Sequence, residues 1–195
     1  MIILIRHGQS ATNELGLLVG HSNPPLTEKG REQARRLIPH LIDVKEVWSS
    51  PLERALHTAR LCVPTLEPVI KDSFIEVDYG SLDGRPLASI TAEQWREFEG
   101  EHERPLLDGE SLGSVDARVY GELDALLEDP ESWLHRSDEH LAIVSHVSPI
   151  KAAITWGLGV HGSTAWRMRI DNASMTTLAT RHATPMLIRS NVVAL

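Results

Sequence analysis

The segment Ile2-Ile3-Leu4-Ile5-Arg6-His7-Gly8-Gln9-Ser10 decides the fold class of this chain. Its four successive apolar residues are typical of a strand buried on both faces, as strands are in a parallel sheet. Ligands of open parallel sheets bind beyond the carboxyl ends of the strands. Arg6 and His7 follow the apolar run directly, so we expect them at the rim of a binding site. A surface loop that happens to contain Arg and His is the alternative, and other segments must decide between the two.

Length and composition predict one globular domain over residues 1–195. The chain has 195 residues, of which 42% are hydrophobic and 24% charged, and this length suits one well-buried core better than two. No apolar stretch reaches the roughly 20 residues that a membrane helix needs. Nothing at the N-terminus resembles a secretory signal. We therefore expect a cytoplasmic protein that does not bind membranes.

Charge and cysteine content narrow the partners. The formal net charge of -8 argues against a nucleic acid, because binding to its backbone needs clustered Lys and Arg. Cys62 is the only cysteine, which excludes a disulfide within the chain and fits a reducing compartment. The ten histidines match no zinc-binding spacing. We expect no metal and no cofactor, and the oligomeric state stays open, with a homodimer among the options.

Apolar strand-like runs alternate with helical patterns along most of the chain. This alternation predicts a three-layer α/β/α sandwich around a mainly parallel sheet. The predicted strands cover 2–5, 44–48, 69–78, 141–145, 175–180 and 186–193. The predicted helices are capped by Thr27, Ser50, Thr91 and Ser148, and a further helix covers 114–127. The helix that starts at Thr27 is expected to reach about Ile42.

The helix predicted from Ser50 places a cation beside the end of a strand. Ser50 can cap it, Pro51 suits the first helical position, and Glu53 completes a capping box. Arg54 then lies in the first turn, where the partial positive charge of a helix N-terminus also attracts anions. A solvated Arg on an amphipathic helix is the alternative.

Two further strand ends carry titratable residues. The apolar run 141–145 delivers His146 at its end, and the strand predicted over 69–78 carries Glu76. Together with His7, three strand ends therefore carry two imidazoles and a carboxylate, accompanied by Arg6 and Arg54.

With these residues in this order, the sequence resembles the histidine phosphatase superfamily, also called the phosphoglycerate mutase-like family. The resemblance implies a phosphoglycerate mutase-like fold and a metal-independent phosphomonoesterase acting on a small phosphorylated substrate. The matching motifs, in chain order, are Arg6-His7-Gly8 with Asn13, Leu26-Thr27-Glu28-Lys29-Gly30 with Gln33-Ala34, Ser49-Ser50-Pro51-Leu52-Glu53-Arg54-Ala55 with Thr58-Ala59, Glu76 with Tyr79-Gly80, and Ser145-His146.

The resemblance also implies roles for the matching residues. A histidine matching His7 attacks phosphorus and becomes phosphorylated, and Glu76 matches the proton donor to the leaving oxygen. Arg6, Arg54 and His146 match residues that bind the phosphoryl oxygens. Guanidinium groups suit this task because they stay charged and can form two parallel bonds to phosphate.

Physical chemistry adds two expectations about the pocket. A neutral imidazole is a nucleophile only if one ring nitrogen is held as N–H, so we expect a backbone carbonyl near Gly8 to accept that proton from His7. Many family phosphatases carry glycines after the second histidine, whereas Val147 and Ser148 follow here. We expect the Val147 N–H to face phosphate from an ordinary backbone conformation. Asn13 matches a pocket residue of the family, with a plain turn residue as the alternative.

Two departures bear on the reaction. Val77 and Asp78 stand where the mutase branch has Arg and His, and the longer enclosing insertion of that branch is missing, so we favour hydrolysis. A phosphoglycerate mutase and a non-catalytic phospho-ligand binding protein remain alternatives.

A substrate lid or loop is predicted near 84–113. Arg85, His102 and Arg104 lie in this segment. They are candidates for binding a second acidic group of the substrate, and solvated loop charges are the alternative.

The segment Gly109-Glu110-Ser111-Leu112-Gly113 also matches the nucleophile elbow of serine hydrolases, with Asp138 and His146 following in the required order. The elbow needs a preceding strand, but residues 101–108 are mostly charged or polar. We therefore assign Ser111 to a turn or a helix cap. Asn172-Ala173-Ser174 forms a glycosylation sequon that we regard as incidental.

Overall fold

The computed structural model describes residues 1–105, 107–136 and 138–194, so Leu106 of the predicted lid, Ser137 and Leu195 lie outside the described residues. The elements, in chain order, are β1 (Ile2–Arg6), α1 (Ala11–Glu14), α2 (Glu28–Arg36), β2 (Val44–Ser49), α3 (Glu53–Cys62), β3 (Val69–Ile70), α4 (Ala92–Gly100), α5 (Leu112–Glu128), β4 (His140–Ser145), α6 (Val147–Leu158), β5 (Ser174–Arg181) and β6 (Thr184–Val193).

The strands of the described chain form one six-stranded sheet in the order β3-β2-β4-β1-β5-β6. The first four run parallel, and β5 and β6 add an antiparallel pair at one edge. In the register of β1 against β4, Arg6 lies opposite Ser145. His7 and His146 therefore leave the sheet side by side, because each follows one of these paired residues.

Helices cover both faces of this sheet. Ile2 and Leu4 of β1 pack in the core beneath α5 and α6, whereas Ile3 and Ile5 pack in a second core with α3. Successive side chains of a strand point to opposite faces, so an unbroken apolar run feeds both cores at once. Burying each such side chain contributes about 1.5–3 kcal/mol. The predicted three-layer α/β/α sandwich is confirmed.

The strand predicted over 69–78 is wrong for most of its length. Only Val69 and Ile70 pair with β2, and a 3₁₀ turn follows at Asp72–Phe74. Asp and Ser favour turns because their side chains bond to nearby backbone. Ser145 Oγ donates to Phe74 O at 2.7 Å, so the segment crosses the end of β4 instead of extending the sheet. Glu76 consequently reaches the site from a loop.

Two predicted helix starts are displaced. The N-cap of α3 is Leu52, which makes no side-chain cap, so the capping box predicted from Ser50 does not form. The N-cap of α6 is His146 and its first helical residue is Val147, whereas Ser148 was the predicted cap. Ser50 Oγ instead contacts His146 Nε2 at 2.7 Å, and at the start of α6 the Ser148 N–H donates to Glu76 Oε1 at 3.1 Å.

The remaining helix signals are confirmed. Thr27 caps α2, Thr91 forms a capping box on α4, and Ser111 caps α5. The helix expected to reach about residue 42 ends at Arg36, because Pro39 lies in the next turn and favours a short 3₁₀ segment. No helix in the described parts of the chain is long and apolar enough to span a bilayer.

Candidate active site

His7 is buried just past the end of β1, with only 3% of its surface exposed. Its Nδ1 lies 2.7 Å from Gly8 O. A carbonyl oxygen can only accept, so Nδ1 carries the ring proton and Nε2 keeps its lone pair. The expected carbonyl partner near Gly8 is thus present. Gly8 itself is required by packing, since a Cβ there would collide with Gly30 O of α2.

Electrostatics keep the His7 imidazole neutral. Burial lowers the pKa of His7 well below its ordinary value, and the positive charges of Arg54 and Arg6 lower it further. The Gly8 carbonyl opposes these effects but does not outweigh them. Nε2 is therefore an unprotonated nitrogen at neutral pH.

Arg54 lies against that nitrogen. It is 1% exposed, and its Nε donates to His7 Nε2 at 3.3 Å. Its Nη1 and Nη2 donate to Ser22 O and Gly20 O, both at 2.8 Å, so the loop before α2 holds the guanidinium plane. Burial lowers the pKa of Arg54 to about 10, which leaves it charged at neutral pH.

Arg6 and His146 each present a buried nitrogen without a partner. Arg6 Nη1 donates to Ile170 O at 2.6 Å, whereas its Nε has no hydrogen-bond partner among the described residues. His146 Nε2 lies 2.7 Å from Ser50 Oγ, and within the same described residues its Nδ1 is also unpartnered. The His7 and His146 rings are 5.1 Å apart. Unsatisfied buried donors beside a nucleophile are suited to bind an anion.

Burial also lowers the pKa of His146 well below its ordinary value, with Arg54 the next cause. A neutral ring carries one proton. Ser50 Oγ already accepts the Leu52 N–H at 3.3 Å, and if its own hydroxyl donates to His146 Nε2, the ring proton stays on Nδ1.

The Glu76 carboxylate caps α6. Its Oε1 accepts the Val77 and Ser148 N–H groups at 2.9 and 3.1 Å, and its Oε2 accepts the Val147 N–H at 3.1 Å. A carboxylate is favoured at a helix N-terminus because the first N–H groups there lack partners. The Val147 N–H, which we expected to face phosphate, is therefore directed to Glu76.

Asn13 is connected to His7 through Asn172. Its Oδ1 accepts the Ser10 N–H and one Asn172 Nδ2 hydrogen, both at 3.2 Å, and Asn172 Nδ2 also donates to His7 O at 3.2 Å. The predicted site residues all lie around the ends of β1 and β4: Arg6, His7, Asn13, Arg54, Glu76, His146 and Val147.

Sequence reasoning missed several contributors. Ser50 was read only as a cap, although it contacts His146, and Asn172 was read only as part of a sequon. Thr58 Oγ1 accepts the Gly8 N–H at 3.0 Å, and the motif around Arg54 already contained it. His21 Nε2 lies 2.8 Å from Glu76 O, and no pattern in the sequence singled it out.

Lys151 is a further unanticipated cation. It is 6% exposed, and its Nζ lies 3.7 Å from the centroid of the Trp166 ring. Burial lowers the pKa of Lys151 to about 8, while the negative charges of Glu99 and Glu76 act to raise it. Helical side chains lean toward the N-terminus of their helix, so Lys151 leans toward the end of α6 that Glu76 caps.

The three candidate residues of the predicted lid, Arg85, His102 and Arg104, have different surroundings. Arg104 is exposed and pairs with Glu97 and Glu101, at 2.7 and 3.2 Å. His102 is buried with its Nε2 2.7 Å from Asp116 Oδ2, and Arg85 is exposed. None of these contacts reaches the nitrogens of Arg6, His7, Arg54 or His146.

The serine-hydrolase alternative finds no support in the geometry. Ser111 Oγ accepts the Ser114 N–H at 3.1 Å as the cap of α5, and no strand precedes it in the described part of 101–108. His146 contacts Ser50 instead. Within the described residues, no three His, Cys, Asp or Glu side chains form a group that could hold a metal ion.

Comparison with known proteins agrees with this geometry. The model of the histidine phosphatase superfamily (branch 1) matches residues 2–193. The chain is 31% identical over 201 residues to phosphoserine phosphatase 1 of Hydrogenobacter thermophilus, covering 98% of this chain and 92% of that relative. It is 33% identical over 188 residues to a 2,3-bisphosphoglycerate-dependent phosphoglycerate mutase of Thermoplasma acidophilum, covering 90% and 85%. The chain belongs to the histidine phosphatase superfamily.

Solved structures extend the likeness to the fold. A phosphoserine phosphatase mutant from Entamoeba histolytica, in complex with phosphoserine, superposes with a TM-score of 0.85 at 27% identity, covering 97% of this chain and 95% of that one. The alpha-ribazole phosphatase from Shigella flexneri gives a TM-score of 0.82 at 27% identity, covering 100% and 98%. Both neighbours are phosphatases, which supports a phosphatase activity for this protein.

Proposed function

We propose that this protein is a metal-independent phosphomonoesterase that hydrolyses a small phosphorylated metabolite through a phosphohistidine on His7. One observation carries the proposal: a neutral, buried imidazole keeps a lone pair on Nε2, and the charged Arg54 guanidinium lies 3.3 Å from it. The unpartnered nitrogens of Arg6 and His146 beside it are suited to the phosphoryl oxygens.

In the first step, His7 Nε2 forms a bond to phosphorus while the bond from phosphorus to the leaving oxygen breaks. Glu76 gives its proton to that oxygen, which would otherwise leave as a poor alkoxide. In the second step, water attacks the phosphohistidine and gives a proton to Glu76. The N–P bond breaks, and inorganic phosphate and neutral His7 result. Splitting hydrolysis into two displacements makes each step easier.

Glu76 accepts three N–H bonds in the free protein, which is the pattern of a carboxylate. To act as an acid it must first gain a proton. The negative charge of bound phosphate favours this uptake, so we propose an acid-type phosphatase with greatest activity at mildly acidic pH.

The substrate class is proposed from the ligands of related enzymes. Phosphoserine is bound by the Entamoeba histolytica neighbour, and a second structure of that enzyme contains 3-phosphoglyceric acid. We propose a small phosphomonoester of this kind for the present protein. The mutase alternative is supported by the Thermoplasma acidophilum relative, and it predicts phosphate transfer between positions of phosphoglycerate that depends on a bisphosphate primer.

The deciding experiment is a phosphate-release screen over a panel of phosphomonoesters that includes phosphoserine and 3-phosphoglycerate. Wild type is compared with His7→Ala and with His40→Ala, a matched control at an exposed histidine outside the site. We expect turnover and an acid-labile phosphoenzyme in wild type and His40→Ala only. Binding of phosphate or vanadate without release from any ester would support the non-catalytic alternative instead.

A further inference from the structure

We propose that Asn172 is a positioning residue that holds the Asn13 amide with its NH₂ group directed to the phosphate. This inference rests on the proposed function, in which Asn13 is a phosphate ligand. It adds to that function a residue in the segment that leads into β5.

The amide oxygen of Asn13 is saturated by two donors. The Ser10 N–H and Asn172 Nδ2 both reach it at 3.2 Å, and an amide oxygen has two lone pairs to offer. A flipped Asn13 would direct its own N–H groups at these two donors. The observed orientation therefore leaves the Asn13 NH₂ group as the end free to bind an anion.

Asn172 also joins Asn13 to the nucleophile. Its Nδ2 carries two hydrogens, and the nitrogen lies 3.2 Å from both Asn13 Oδ1 and His7 O. One amino group thus ties the amide orientation of Asn13 to the backbone of His7. A change at Asn172 therefore alters the position of the Asn13 amide relative to His7.

The segment that carries Asn172 is fixed against β1. Ala173 N donates to Arg6 O at 3.0 Å and to His7 O at 3.1 Å, and Arg6 Nη1 donates to Ile170 O at 2.6 Å. These contacts lie on either side of Asn172 in the chain, so its side chain starts from a defined position.

Another asparagine, Asn191, ties this segment to β6. The Asp171 N–H donates to Asn191 Oδ1 at 2.7 Å, and Asn191 Nδ2 donates to Asp171 Oδ2 at 2.9 Å. Asn191 has a φ of 53°, a left-handed conformation that Asn tolerates better than most residues. The tether therefore uses a residue type suited to both the backbone and the hydrogen bonds.

The test is a double-mutant cycle of Asn172→Ala and Asn13→Ala, with kcat and KM measured on p-nitrophenyl phosphate. If Asn172 acts through Asn13, Asn172→Ala should lower kcat/KM roughly tenfold in wild type and less than about twofold in the Asn13→Ala background. Equal losses in both backgrounds would show that Asn172 does not act through Asn13 and would overturn the proposal.

Two additions separate positioning from folding. Thr180→Ala, in β5, removes a hydroxyl that donates to Leu134 O at 2.9 Å, and it should lower the melting temperature without changing kcat/KM. Should Asn172→Ala not fold, Asn191→Gly removes the tether while keeping the backbone conformation accessible. It should weaken turnover in wild type but not in the Asn13→Ala background, and additive losses would again contradict the proposal.

The same cycle can be read by vanadate binding, measured by calorimetry. Coupling between the two asparagines in vanadate affinity supports the positioning role even if no ester is hydrolysed, and additivity refutes it. Absence of phosphate release from wild type bears on the proposed function alone.

Discussion

At the scale of single residues, the position of one proton on each histidine governs the chemistry. Gly8 O accepts from His7 Nδ1 and leaves Nε2 without a proton, as the proposed nucleophile requires. Ser50 Oγ lies 2.7 Å from His146 Nε2, and a hydroxyl that donates there leaves the ring proton of His146 on Nδ1. In the proposed mechanism the two rings then present opposite characters, a lone pair and a donor, to the same phosphoryl group.

Ser50→Ala should reduce turnover because His146 would lose the group that selects its tautomer. We expect kcat/KM for the best substrate to fall on the order of tenfold or more. The free energy of unfolding should fall by about 1–3 kcal/mol, since a buried ring nitrogen is left without a partner. Steady-state kinetics and chemical denaturation check both effects. Unchanged kinetics with reduced stability would show that Ser50 has only a structural role.

At the scale of elements, the carboxylate that caps the N-terminus of α6 is also the proton donor of the proposed reaction. Glu76 satisfies the Val147 and Ser148 N–H groups in the free protein. A side chain that caps a helix is held rigidly, so Glu76 is positioned without being part of a strand. The helix start and the predicted proton donor thus depend on each other.

Glu76→Gln should separate the two chemical steps. An alkyl phosphate needs a proton on its leaving oxygen, so its hydrolysis should fall by about 10²–10⁴-fold. p-Nitrophenolate leaves without a proton, so the variant should still release about one equivalent of nitrophenol in a rapid burst before slow turnover. Rapid-quench measurements with both substrates test this. Equal losses in the first step for both esters would argue against Glu76 as the acid.

Lys151, in α6, should make the stability of the protein vary with pH in the alkaline range. The folded-state pKa is about 8, against an ordinary value of 10.5. Between these values the unfolded state binds more protons than the folded state, so this group makes stability rise with pH in that window.

Lys151→Met should remove this rise and stabilise the protein at neutral pH by on the order of 2 kcal/mol, after allowance for solvent screening and the lost contact with Trp166. Burial also raises the pKa of Cys62, to about 12. Because wild type and Lys151→Met both contain Cys62, its titration cancels when the two are compared. The quantity to measure is therefore the difference between wild type and variant in the free energy of unfolding, from pH 7 to 10.5. A difference that does not change with pH would contradict the assignment.

At the scale of the whole molecule, the sheet order brings distant parts of the chain together at the carboxyl end of β1. β1 lies between β4 and β5, so it receives His146 on one side and the Asn172 segment on the other. α3 packs on the same core as β1 and supplies Arg54.

Acid should destabilise the fold through His7 and His146. Both have folded-state pKa values well below the ordinary value of 6.5, so below about pH 6.5 the unfolded state takes up protons that the folded state does not. Each group can remove up to about 1.4 kcal/mol of stability per pH unit there. Melting temperatures from pH 7.5 to 5 should fall less steeply for His146→Gln than for wild type. Parallel curves would place the acid sensitivity elsewhere.

The sequence by itself determined the fold class, the family and the identity of most residues that surround His7. Apolar runs and the residues that end them are local features, and the edge where parallel strands end is a general property of such sheets, so His7, His146 and Arg54 were predictable. Glu76 was identified although its strand was wrong, because the motif names a residue and not the path of the backbone.

Only the tertiary structure decided how these residues are held. Ser50 and Ser148 carry strong capping signals, yet at Ser50 a buried ring and at Ser148 a carboxylate from another segment took precedence over the local pattern. Lys151 and Asn172 acquire their surroundings from elements far away in the chain. Such contacts depend on which groups lack partners after the core has packed, and that competition is settled only by the assembled molecule.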